Sequence, residues 1–271
     1  MTSDGERDIF GKVSPTGTWE HRRGEPRTFA FLWVGFLVAA TLFTLVGSGA
    51  AGVFTAESFR PNARLLLTAV ALGGCLLWPM FRLCQRLPAC GGVAACGRDL
   101  LIVVIGSQAV VWPQRIQPAQ WPMESMLALA AFIPAWFLIV GGLLAWALGP
   151  GVRGGLVRDA VPRSMEMRNG VRALYMGAFV VLALGAAARV AVGATRDAAA
   201  DSGGAARAGW LASPVTGVYE LTRERVWLGQ LVTIESDHWV GIGLVGCVGV
   251  LAWIPALARG RRNASEVAGG R

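Results

Sequence analysis

The chain has 271 residues, enough for one or two soluble domains, but 54% of them are hydrophobic and 15% charged, with a mean hydropathy of +0.50. That balance excludes an ordinary soluble domain and is the composition of a membrane protein. The net charge of +8 comes almost wholly from arginine, Lys12 being the one lysine; the arginines flank apolar segments instead of clustering in one region, which points to a membrane surface and away from nucleic acid.

Residues 1–27 mix both charge signs, and "SPTGT" interrupts any helix, so they read as a cytoplasmic N-terminal tail and not as a secretory signal. Beyond them the chain must be parsed into spans. A hydrocarbon core about 30 Å thick takes roughly 20 apolar residues of helix, because only a helix satisfies its own backbone in lipid. Thr28–Val46 and Leu65–Phe81 are the first two such segments. Leu100–Trp112 is short, stopped by Pro113, and by itself reads as re-entrant or buried; extended back to Val93 it reaches span length but takes in Arg98 and Asp99. Met126–Leu148 and Ala173–Val192 follow. Residues 193–237 form a long outer loop that opens with a flexible Ala/Gly/Ser/Asp-rich link, 193–209. Within the loop the apolar positions of Trp210–Ile234 scatter around a helical wheel, so no clean membrane-surface helix is predicted, only short pieces dipping into the interface. His238–Ala258 is the last span and 259–271 a cytoplasmic tail. There is no internal repeat.

Basic residues in short loops stay cytoplasmic. With six spans and a cytoplasmic start, one side holds Arg7, Lys12, Arg22, Arg23 and Arg27, then Arg82, Arg86 and Arg98, then Arg153, Arg158, Arg163, Arg168 and Arg172, and finally Arg259, Arg261, Arg262 and Arg271: seventeen in all. The short loops of the other side hold three, Arg60, Arg64 and Arg115. The predicted fold is therefore an all-α integral membrane protein, a six-helix bundle with residues 28–192 carrying helices 1–5 and both termini inside, in the cell (inner) membrane. Tryptophans at the predicted span ends suit it, since indoles favour the interface: Trp112, Trp121 and Trp239 at outer ends, Trp33, Trp78, Trp146 and Trp253 toward inner ends. Trp136, beside Pro134 in mid-span, is expected to pack on another helix.

"TIESDHWVGIGLVGC", Thr233–Cys247, places Glu235, Asp237 and His238 directly before a glycine-rich apolar run. Acids suit the positive end of a helix dipole, Ser236 and Asp237 are good N-cap residues, and a metal or proton site would need convergent partners, so the cluster is read as a helix cap at a membrane lip. Cys75, Cys84, Cys90, Cys96 and Cys247 all fall in the membrane or on its inner side and are expected to be reduced thiols without metal-site spacing. Arg189, near the outer end of the fifth span, can snorkel outward, and Arg98 and Asp99 are expected to sit at the interface or pair with each other. No Asp, Glu or His is predicted at a midplane, which argues against an ion-coupled carrier. Ser48 and His238 share the outer surface, but nothing in the sequence unites them as nucleophile and base. Paired helical histidines for haem and a phosphate-cradling loop are both lacking. The sequence thus predicts no catalytic residue, cofactor or metal.

Small residues four apart let helix backbones approach. Gly243/Cys247, with Gly246 and Gly249 nearby, in the last span, and Ala131/Ala135 and Gly141/Ala145 in the fourth, predict that these two spans are tightly packed, against each other or against another subunit. Two roles follow. One is a non-enzymatic anchoring or scaffold subunit bound to other membrane subunits. The other is a permease subunit driven by a cytoplasmic ATPase docked on "FRLCQRLPACGGVAACGRD"; six spans, both ends inside and a long outer loop before the last span resemble ABC-2 exporter permeases in topology.

Overall fold

The computed structural model describes residues 26–49, 55–84, 91–116, 119–149, 170–171, 174, 208–223 and 233–269. The N-terminal tail, most of Arg153–Arg172 and, apart from Leu174, the fifth predicted span lie outside them. The described residues are helical and turn, with no strand. In chain order the elements are α1 (Pro26–Gly49), α2 (Ala56–Cys84), α3 (Gly92–Val111), a short α4 (Pro113–Ile116), α5 (Met123–Leu148), a 3-10 helix (Ala208–Ala212), α6 (Pro214–Leu221) and α7 (Ser236–Gly269). Among the described residues five helical stretches, Thr28–Gly47, Ala56–Leu83, Gly92–Ile116, Met123–Leu148 and Ser236–Ala258, are long and apolar enough to cross a membrane.

Several boundaries lie beyond the apolar runs that predicted them. α2 starts well before Leu65, because Thr55 and Ser58 cap it reciprocally: Ser58 N–H donates to Thr55 Oγ1, and Thr55 N–H to Ser58 Oγ, both at 3.2 Å. α3 takes the longer of its two possible extents, beginning at Gly92 and carrying Arg98 and Asp99 inside the helix. It can do so because Asp99 is neutralised by Arg82 of α2, so the acid no longer has to stay at the interface. Arg98, the partner suggested by adjacency, is exposed. The expected mutual pairing of Arg98 and Asp99 is thus replaced by a contact between helices. α7 continues past Ala258 to Gly269, so most of the predicted 259–271 tail prolongs the last helix.

α5 is the central helix. Over half of its apolar stretch is buried, against 17% of that of α7. It runs antiparallel to α3, with Gly92 N–H donating to Gly149 O at 2.8 Å at one end and Gln108 Nε2 donating to Ala130 O at 3.1 Å nearer the other. Gly149 closes α5 in the left-handed region, φ 67°, where a residue with a Cβ would be strained. α5 and α7 run parallel: Gly249 meets Ala135 and Leu138, then Gly142 meets Ala252, and Trp253 Nε1 donates to Leu138 O at 2.9 Å.

The prediction of two tightly packed spans therefore applies to α5 against α7, but its choice of face is corrected. A Cβ on Gly142 would sit 2.7 Å from the Ala252 carbonyl carbon, and one on Gly249 3.1 Å from Ala135 O, whereas among the described residues nothing lies within 4 Å of Gly243 or Gly246, and Cys247 is exposed. The tryptophan belt is corrected too. Trp112 and Trp239 are exposed as interfacial residues should be, but Trp33, Trp78 and Trp121 are buried in the bundle. Their rings fill space left by glycine, as where Gly106 meets Trp33 and Gly141 meets Trp78 and Trp253. Trp136 packs against the core as expected.

The segment predicted as the outer loop carries a folded piece among its described residues. Ser213 precedes α6, Pro214 occupies its first turn, and six of its eight residues, among them Val218, Glu220 and Leu221, are buried. A helix buried around most of its circumference has no single apolar face, which is why the wheel of Trp210–Ile234 shows none. Residues 224–232 lie outside the described set.

Candidate functional site

Of Glu235, Asp237 and His238, the structure buries His238 and leaves Asp237 exposed and Glu235 half-buried. The helix cap exists, but His238 makes it. The Glu235 backbone N–H donates to His238 Nδ1 at 3.0 Å, three residues ahead, so the imidazole does the work expected of Ser236 or Asp237. A lone pair that accepts an N–H cannot also carry a proton, so in the neutral ring the proton is on Nε2. That nitrogen lies 3.6 Å from Oε1 of Glu220, which α6 brings in from the loop. Glu220 is 2% exposed, and its Oε2 lies 3.6 Å from Arg223 Nη1.

This arrangement decides the chemistry of His238. Nδ1 spends its lone pair on the cap and Nε2–H faces a carboxylate, so the ring offers no free lone pair to a metal or a nucleophile. Among the described residues no group of three or more His, Cys, Asp or Glu could hold a metal ion. Ser48 has no described side chain, and Arg189 lies outside the described residues.

Glu220 was not singled out from the sequence. The readable signal was weak: one acid in a short, otherwise apolar and hydroxylic stretch, whose burial demands a partner. Two arginines counted as loop charges also belong here. Arg64 of α2 donates from Nε to Thr222 Oγ1 at 2.9 Å and from Nη2 to Thr222 O at 2.6 Å, and its guanidinium lies 5.0 Å from the Tyr219 ring centroid. One turn earlier, Arg60 Nε donates to Ala119 O at 3.0 Å. α6 is thereby tied to α2 by Arg64 and to α7 by His238.

The opposite end of the bundle holds the second buried charge cluster. Arg82 makes a two-pronged ion pair with Asp99, Trp78 Nε1 donates to Asp99 Oδ2 at 3.2 Å, and the Arg82 guanidinium lies 5.6 Å from the Phe29 ring centroid. Both charges are buried. Three helices thus meet around one carboxylate. Cys75 and Cys96 are buried free thiols and Cys247 an exposed one; the side chains of Cys84 and Cys90 lie outside the described residues.

Several apolar helices of spanning length, bundled around α5 with buried ionisable side chains paired across elements, are consistent with a multi-pass helical membrane protein. The chain matches no protein-family model, no curated protein and no solved structure.

Proposed function

We propose that the protein is a non-enzymatic anchoring or scaffold subunit of a larger complex in the cell membrane, with six spans and both termini cytoplasmic. One observation carries the role. Among the described residues, buried ionisable side chains at both ends of the bundle join elements, Arg82 with Asp99 linking α2 to α3 and His238 with Glu220 linking α7 to α6. A framework held this way suits a subunit whose work is to present surfaces. The six-span count is supported by connectivity as well as by arginine bias. α5 ends beside the start of α3, whereas the residues from 208 lie at the other end with Arg64, which supports a further crossing between them, within the stretch 150–207. Ala173–Val192 is its one apolar run of the right length.

Affinity purification in mild detergent, with identification of stoichiometric partners, tests the role. Membrane partners without a nucleotide-binding domain are expected. A co-purified cytoplasmic ATPase would instead make the chain a permease subunit of the ABC-2 kind.

A further inference from the structure

We infer that α5 contains a latched hinge: Pro134 breaks its hydrogen-bond ladder, and the Gln108 amide of α3 takes over the freed carbonyl, holding residues 123–133, and α6 with them, in place against residues 135–148. The inference is independent of the scaffold role and of the number of spans.

The break follows from the residue. Proline has no N–H, so the bond that position 134 of a helix would donate to the Ala130 carbonyl cannot form, and the pyrrolidine ring crowds that same carbonyl. Pro134 lies on the order of 16 Å along α5 from Met123, well inside its apolar stretch. Water is not at hand there, and an interior proline is tolerated in such a helix when a neighbouring helix satisfies the freed group.

The substitute comes from α3. Gln108 Nε2 donates to Ala130 O at 3.1 Å. Gln108 is the one carboxamide in the run Leu100–Val111, and it is spent on the carbonyl that the one proline inside α5 deprives of its partner. A carboxamide within an apolar span is itself costly unless bonded, so a single bond satisfies two groups.

The parts that the break separates have different attachments. Beyond Pro134, α5 is clamped to α7, with Gly249 against Ala135 and Leu138, Gly142 against Ala252, and Trp253 Nε1 donating to Leu138 O at 2.9 Å. Before Pro134 it bears α6, the Phe132 ring filling the space over Gly217, and α6 is fastened onward to α2 through Arg64. α3 bridges the two parts as a splint: Gly92 N–H holds Gly149 O on one side of the break, and Gln108 holds Ala130 O on the other. Releasing Gln108 frees the part that carries α6 and leaves the seam with α7 intact.

A double-mutant cycle in the full chain tests the latch. Gln108→Met keeps the length of the side chain and removes the donor; Pro134→Ala restores the helical N–H. Gln108→Met is expected to lower the melting temperature in mild detergent by several degrees in the parent chain and by less than half as much in the Pro134→Ala chain, where Ala130 O has its helical partner again. Where Gln108→Met alone fails to accumulate, Pro134→Ala restores its level. Equal losses in the two backgrounds, no loss in either, or no restoration of level overturn the inference. Hydrogen exchange read peptide by peptide separates a hinge from general loosening. In Gln108→Met, exchange is expected to be several-fold faster over 123–133 and 214–221 and unchanged over 135–148, and the double variant is expected to match Pro134→Ala alone. A rise of the same size over 135–148, or no rise over 123–133, overturns the hinge.

Discussion

Asp99 exposes no surface, and its two oxygens are held by Arg82 and by the Trp78 indole. Removing one partner of a buried pair strands the other charge, which typically costs about 3–5 kcal/mol, whereas replacing both with apolar residues is often neutral. Asp99→Ala is therefore expected to lower abundance and melting temperature sharply, and Arg82→Met with Asp99→Leu to recover most of the loss. A double variant as unstable as the single one would show that the pair does more than neutralise itself. His238 is subtler. Read as a lip residue it would be dispensable, but its ring is 3% exposed, caps α7 and faces Glu220. Loss of a helix cap alone costs about 0.5–2 kcal/mol, so His238→Ala should melt measurably lower. His238→Asn, whose side-chain oxygen can take the Glu235 N–H, should recover part of the difference; if the alanine variant melts like the parent, neither the cap nor the Glu220 contact stabilises the fold. The cap was legible in the sequence because it is made by neighbours. The Glu220 contact was not, because residues 220 and 238 are brought together by the packing of α6 on the bundle.

At the scale of elements the decisive contact is α5 against α7. Gly142 and Gly249 stand where backbones touch, so adding even a methyl group forces movement, at a cost typical of overpacking, about 1–3 kcal/mol. Gly142→Ala and Gly249→Ala should each lower the melting temperature. Gly35→Ala on α1, where no described residue lies within 4 Å, should leave it unchanged or raise it slightly, since alanine is favoured over glycine in a helix interior by up to about 1 kcal/mol. Equal effects at all three positions would refute the seam. Small-residue spacing in the two spans was enough to predict that both were packed. It did not single out Gly249 over Gly243 and Gly246, because all belong to one glycine-rich run and only the rotation of α7 about its own axis separates them.

For the molecule as a whole, the proposed six-span topology puts the positions of Arg115 and Arg158 on opposite faces of the membrane. Cysteines substituted at the two sites should be labelled from opposite sides by an impermeant reagent; labelling of both from the same side would sink the six-span topology.

The sequence by itself determined that the chain is built of apolar helices long enough to cross a membrane, and roughly where the described ones lie. Lipid obliges each crossing segment to satisfy its own backbone, so local composition carries that information. The tertiary structure decided which charges are paired and which faces are used: that Asp99 meets Arg82 instead of Arg98, that His238 meets Glu220, and that Gly249 instead of Gly246 lies in the seam with α5. Each of these depends on two residues reaching the same depth on different helices with their side chains turned toward each other. Relative depth and rotation are set by the packing of the bundle, and no stretch of neighbouring residues encodes them.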